Sequence, residues 1–192
     1  MTVYFKIDYT DSNGWCNPCF FPYGEERFSP LAGRKIRGRL ISGVAKVTFS
    51  RLPRKGWAVI GTASGALYSE AFVNSVKQLE LSGVRFHPTE VSTRGKTPEG
   101  PWFWGEPLSL LPIDKRLYAG ELYEVCPVTG HLQKISKEPG NAPQKLRFMQ
   151  LPVTDFFGVS NVSASAMCLS GSAVEALRRS GVGKFDLVEV EV

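Results

Sequence analysis

Polar and apolar residues alternate strictly at the start of the chain. In "VYFKIDY", Val3, Phe5, Ile7 and Tyr9 fall on one side and Tyr4, Lys6 and Asp8 on the other. A period of two predicts a half-buried β-strand. Residues 10–33 lose the alternation and are rich in Gly, Pro, Asn and Ser, which predicts loop with at most a short helical turn. "GVAKVTFSRL" and "GWAVIG" then read as strands. At "SEAFVNSVKQL" the period changes, and Phe72, Val73, Val76 and Leu79 share one helical face. Ser69 is the expected N-cap, with Glu70 in the first turn, where its charge favours the helix dipole. Gly83 ends this unit, and "VRFHPTEV" reads as the next strand. "RGKTPEGP" is a surface loop, and "EVCPVTGHLQKI" is a hairpin turning at Pro127 to Gly130.

The ending, "MCLSGSAVEALRRSGVGKFDLVEVEV", repeats the order serine, helix, glycine turn, strand. A shift of 101 residues lays Ser69 on Ser170, Val73 on Val174, Val76 on Leu177, Leu81 on Val182, Val84 on Phe185 and Phe86 on Leu187. Each copy has one apolar helical stripe to lay on a sheet and a strand to extend that sheet. Duplication or chance can produce such a match. The pattern predicts an α+β fold with a mainly antiparallel sheet, few helices and two related helix–turn–strand units. The length suits a single domain over 1–192, divisible into halves of about 1–115 and 116–192 that share one core.

Composition narrows the class. Hydrophobic residues make up 43% and charged residues 21%, the balance of a soluble globule. No apolar run is long enough for a membrane span, and "MTVYFKIDYTD" lacks the features of a signal peptide, so a cytoplasmic protein is expected. The formal charge of +5 comes partly from residues 33–55, which hold eight basic residues, Arg37 and Arg39 among them, and no acid. Such a run suits phosphates or an acidic protein partner. No recognition helix, RNP motif or zinc-finger spacing accompanies it, so nucleic acid is disfavoured as a partner.

The cysteines raise specific chemistry. "WCNPC" has the form of a thioredoxin-type pentapeptide, which needs a helix directly after it to stabilise the nucleophilic thiolate. After Cys19 comes "FFPYGEERFSPLAG", where Pro22, Gly24 and Pro30 oppose a long helix. A Cys-x-x-Cys pair such as Cys16 and Cys19 can also be half of a zinc site, and "CPVTG" has the shape of a second half, a knuckle at a hairpin turn. Thr129 stands where the second thiolate belongs and is a poor ligand. His131 or Cys168 could complete a set with Cys16 and Cys19, but neither has a motif's spacing. No metal and no cofactor is expected. His87 beside Pro88 reads as structural, and no acid, base and nucleophile set converges, so the chain reads as a non-enzyme.

"GPWFWGEP" concentrates aromatic surface. Alternation turns Phe103 to the core and leaves Trp102 and Trp104 elsewhere, and tryptophan at a loop edge is a frequent binding hot spot. Trp102, Phe103, Trp104, Arg37 and Arg39 are therefore the candidate partner-binding residues. The other reading is that the tryptophans cap the core.

The order of elements resembles the double-CxxCG family and, more loosely, immunity proteins of bacterial polymorphic toxin systems. The resemblance is carried by the Trp-Cys-x-x-Cys region, "LYSEAFVNSVKQLELSGVRFHPTEV", "ELYEVCPVTG" and "TDFFGVSNVSASAMCLSGSAVEALRRSGVGKFDLVEV". Its most specific part pairs the "CPVTG" hairpin with the "DFF…AVEALRRSGV" tail. Two positions depart from the pattern: Phe20 replaces the glycine after the first cysteine pair, and Thr129 replaces a cysteine of the second. The resemblance implies a cytoplasmic protein that binds one cognate toxin domain and blocks its active site or substrate access, without catalysis. A thioredoxin-like oxidoreductase using Cys16 and Cys19, and a basic nucleic-acid-binding module, are the competing expectations.

Overall fold

The computed structural model describes residues 3–7, 16–20, 27–28, 35–36, 45–49, 55–62, 65–93, 100–114, 123–125, 132–134, 147–159 and 167–190. Among these the protein is α+β, with two large, mostly antiparallel sheets and two helices. The strands are β1 (Tyr4–Ile7), β2 (Cys16–Phe20), β3 (Arg27–Phe28), β4 (Lys35–Ile36), β5 (Ala45–Phe49), β6 (Val59–Thr62) and β7 (Gly65–Ser69), before helix α1 (Glu70–Gln78). Then come β8 (Val84–Thr93), β9 (Trp102–Pro107), β10 (Leu110–Leu111), β11 (Tyr123–Val125), β12 (Leu132–Lys134), β13 (Phe156–Val159) and β14 (Met167–Ser170). Helix α2 (Gly171–Arg179) and β15 (Leu187–Val190) complete the order. Neither helix is long and apolar enough to cross a membrane.

The six-stranded sheet runs β2-β5-β8-β9-β7-β6 and the five-stranded sheet β10-β13-β14-β1-β15. Within them the two repeated units share one topology. In the first, hairpin β6–β7 leads into α1 and β8, and β9 fits between β7 and β8, antiparallel to both. In the second, hairpin β13–β14 leads into α2 and β15, and β1 fits between β14 and β15, again antiparallel to both. Each unit is thus a split β-α-β arrangement whose central strand comes from elsewhere in the chain.

Local chemistry sets the helix ends. The Ser69 hydroxyl accepts from Phe72 N–H and the Ser170 hydroxyl from Ala173 N–H, so both expected N-caps are in place. The 101-residue shift places both nine-residue helices in register. At the end of α1, Leu81 N–H donates to Val76 C=O and Glu80 N–H to Lys77 C=O, a Schellman closure with Glu80 at φ 51°. In α2 the matching left-handed position is Gly181, φ 70°. Leu79 departs from expectation: at the C-cap the chain leaves the helix, and its side chain is 38% exposed. Leu81 packs against the core instead. Gly83 does not end the helix either; it serves a close backbone approach three residues beyond Glu80.

One core cluster joins both units. Phe72, Val73 and Val76 of α1 and Val174 and Leu177 of α2 meet Tyr68 of one sheet and Ile7, Phe156 and Leu169 of the other. Leu81, Val84, Phe86, Val182, Phe185 and Leu187 belong to this cluster or pack against it, so every apolar pair of the 101-residue match lands in it. The units also dock reciprocally through backbone. Phe156 N–H donates to Ser82 C=O (2.9 Å), and Ala58 N–H donates to Lys184 C=O (2.7 Å). Each leading hairpin thereby starts on the other unit's post-helix turn.

Two expectations from alternation are corrected. β1 is not half-buried: Tyr4, Lys6 and Ile7 are all buried, because β1 lies between β14 and β15 with both faces covered. Residues 10–33 are not all loop: Cys16–Phe20 pairs with β5, and Arg27–Phe28 pairs with β4. The expected hairpin exists as β11–β12, with Tyr123 opposite Lys134 and Val125 opposite Leu132. Its turn, Cys126 to His131, and the 94–99 part of the expected loop lie outside the described residues.

Candidate functional site

The Trp-Phe-Trp strand is the natural place to look for a site, and β9 places it in the middle of the six-stranded sheet. Trp104 pairs with Leu67 on one side and His87 on the other, and Trp102 with Ser69 and Thr89. These residues share the sheet face turned away from the helices. Phe103 points the other way and packs against the shared core. The tryptophans, read from the sequence either as a loop-edge hot spot or as caps on the core, are 6% and 7% exposed. Both faces of β9 are covered here, so alternation separates two buried environments rather than core from solvent. Burial gives Trp102 and Trp104 a place in the packing of this face. Trp102 Nε1 finds no hydrogen-bond partner among the described residues. Arg37 and Arg39 lie outside the described residues, so the five candidates are not seen together.

The same face carries a charged group. Glu106, two residues beyond Trp104, is buried, and its Oε2 lies 3.0 Å from His87 Nε2 and 3.9 Å from Arg85 Nη1. The His87 ring stacks at a tilt on Trp104, centroids 5.5 Å apart. A buried carboxylate is tolerated when hydrogen-bonded and paired with a cation, and this geometry supplies both. The arrangement binds β8 to β9 and orients His87. Pro88 is accommodated because β5 joins β8 only from Thr89 onward.

The cysteines are separated by environment. Cys16 and Cys19 sit on β2, whose register with β5 shifts between Asn17 and Phe20, so the pair occupies an irregular strand rather than a helix start. Cys126, Thr129 and His131 are outside the described residues. Among the described residues no group of three metal-ligating side chains forms. Cys168 is fully buried on the far face of the five-stranded sheet, among Tyr4, Phe148, Phe157 and Val190. Burial pushes its thiol from the ordinary 9.0 up to about 12, against the smaller, opposite pull of Lys6.

Sequence reasoning missed two features. One is the buried Glu106, which reads as an ordinary surface acid until β9 becomes central. The other is where the exposed apolar surface lies. Leu108, Leu110, Met149, Leu151 and Val153 are between 51% and 92% exposed, on two short segments joined by hydrogen bonds. A signal was present: "PLSLLPI" and "FMQLPVT" are seven-residue stretches without a charge. Comparison with protein-family models and with curated proteins finds no match to this chain.

Proposed function

We propose that this chain is an immunity protein: it binds one cognate bacterial toxin domain and blocks its active site or the access of its substrate, with no catalysis of its own. The observation that carries the reading is the concentration of exposed Leu, Met and Val side chains at 108, 110, 149, 151 and 153. Several large apolar side chains exposed on segments that hydrogen-bond to one another are a mark of a protein-binding surface. The sequence resemblance narrows that class to toxin neutralisation in the cytoplasm. Blocking needs only a standard-size interface with a few well-buried anchors, not a reacting group. The test is co-expression with the C-terminal domain encoded by the gene directly upstream. Cells should survive that domain only when this chain is present, and equal killing with and without it would end the reading.

A further inference from the structure

We infer that the turn after α2 and the segment docked on it, residues 178–184 and 55–58, form a basic platform that takes an acidic face of the toxin domain. This rests on the immunity reading above and names the chemistry of the partner's side.

Backbone contacts join the two segments. Lys184 N–H donates to Gly56 C=O (2.9 Å), Ala58 N–H donates to Lys184 C=O (2.7 Å), and Trp57 bridges Lys184 in parallel fashion. At the end of α2, Gly181 N–H donates to Arg178 C=O (3.2 Å), so the path from Arg178 to Lys184 is a tight turn. Lys55, Arg178, Arg179 and Lys184 are all exposed around this junction, and Trp57 is half-buried beside Lys184.

These cations have no counter-charge. Residues 55–58 and 178–184 contain no acid. Among the described residues none of the four cations forms an ion pair, and Glu175 and Asp186, the acids nearest the turn in the chain, pair with none of them. Like charges held at one junction repel, and an acidic partner relieves that repulsion.

The fold does not demand this charge, because the first unit builds the same turn without it. The 101-residue shift lays 77–83 on 178–184. The first stretch has one base and one acid, Lys77 and Glu80; the second has three bases and no acid. One cation in the last turn serves the helix dipole of α1, so the second arginine of α2 and Lys184 exceed what a helix end uses. The docked segments differ too. Asp155 accepts from Ser82 at the first turn, whereas Lys55 adjoins the glycine that accepts from Lys184 at the second. The same local plan carries a mixed-charge junction in one unit and a wholly basic one in the other.

The size of the cluster favours a protein over a nucleic acid. Tight polynucleotide binding uses about 6–10 phosphate contacts along an extended track, and four cations around one turn do not supply them. Arg and Trp are enriched in protein–protein hot spots, and Arg178, Arg179 and Trp57 provide both here. A Cβ at Gly56 or Gly181 would meet nothing within 4 Å, so a partner can reach the turn backbone. A second copy seated platform to platform would double the like charge.

The experiment uses the full chain and the purified toxin domain encoded directly upstream, with affinity measured at low and high salt. The variants are Lys55→Glu/Lys184→Glu and the neutral Lys55→Gln/Lys184→Gln, with Lys77→Glu, at the matching helix end of the first unit, as control. Circular dichroism and thermal melting verify that each is folded. At low salt the reversed pair should weaken binding at least about 30-fold and the neutral pair about fivefold. Both should flatten the salt dependence, while Lys77→Glu stays near wild type. Wild-type binding with a folded reversed pair within about threefold of it would remove the platform from the interface and leave the immunity reading standing. A wild type that neither binds the toxin domain nor protects cells would overturn both. Retention of a random-sequence DNA duplex by the wild type, lost in the reversed pair while toxin binding persists, would assign the platform to nucleic acid and overturn the toxin assignment.

Discussion

The two split β-α-β units follow the same local plan and differ in what surrounds it. Both have a serine N-cap, a nine-residue helix, a left-handed residue after it and a leading hairpin that starts on the other unit's turn. They diverge first in the central strand. The N-terminal unit takes β9, which follows it, and the C-terminal unit takes β1 from the start of the chain. They diverge next on the sheet face away from the helices. Behind the first unit lies the paired Glu106, His87 and Arg85 group, with His87 against Trp104; behind the second lies the thiol of Cys168 among aromatic rings, with the buried Lys6 opposite it on β1. A shared local code thus supports two different interiors, because the code governs helix ends and turns while the inserted strand decides what is buried.

The largest contrast should come from the glycines at the docking turns. At Gly83, φ 92°, a Cβ would lie 2.1 Å from Phe156 carbonyl oxygen, a backbone atom that cannot swing aside. At Gly183, φ 105°, it would lie 2.9 Å from the Gly56 carbonyl oxygen. Gly83→Ala should cost about 4 kcal/mol or more and Gly183→Ala about 2 kcal/mol, measured by urea unfolding. Equal losses would mean that the two turns dock alike.

Alkaline stability should separate the far faces. The Cys168 thiol has a folded-state pKa raised from 9.0 to about 12. Between those values the unfolded chain has lost a proton that the folded chain keeps. The stability contribution is therefore complete below pH 9 and declines as pH rises toward 12, at about 1.4 kcal/mol per pH unit. Cys168→Ala should remove that slope. An unchanged profile from pH 9 to 11 would show that the thiol does not titrate as its burial demands.

The Asp155 clip has no counterpart in the other unit. Its carboxylate accepts from Ser82 and, through Oδ1, from the hydroxyl of Ser170 at the cap of α2 (3.3 Å). Asp155→Ala removes three hydrogen bonds, of which those to the exposed Ser82 can be replaced by water, and should cost about 1 kcal/mol. Ala58, whose carbonyl accepts from Ser69 N–H, has no side chain for such a contact. A loss under about 0.5 kcal/mol would make the clip incidental to stability.

The smallest change should be a gain. Glu80 holds a left-handed conformation that Gly181 adopts without strain in the second unit. Glu80→Gly should stabilise the protein by about 1 kcal/mol, seen as a higher melting temperature. A decrease would show that the Glu80 side chain contributes more than its backbone strain costs.

Much of the helical architecture was legible without coordinates. Ser69 and Ser170 cap helices because a hydroxyl at that position satisfies an orphan N–H, and the i, i+3, i+4 spacing named Phe72, Val73 and Val76 as core. These interactions span only a few residues, so the sequence carries them whole. Exposure was not legible in the same way. Alternation in "VYFKIDY" identified a strand but not that both its sides are covered, since that depends on what packs on each face of the sheet. Leu79 failed for a related reason: one helical turn of extrapolation ran past the true end.

By itself, then, the chain determined where helices begin, which residues face a core, the α+β class and the matched pair of units, all through contacts close in sequence. Tertiary structure alone decided that β1 and β9 become central strands, that Trp102, Trp104 and Glu106 are buried, and that Leu108, Leu110, Met149, Leu151 and Val153 are left outside. Those outcomes follow from pairing strands distant in sequence. Covering both faces of a strand is a property of its neighbours and not of its own residues.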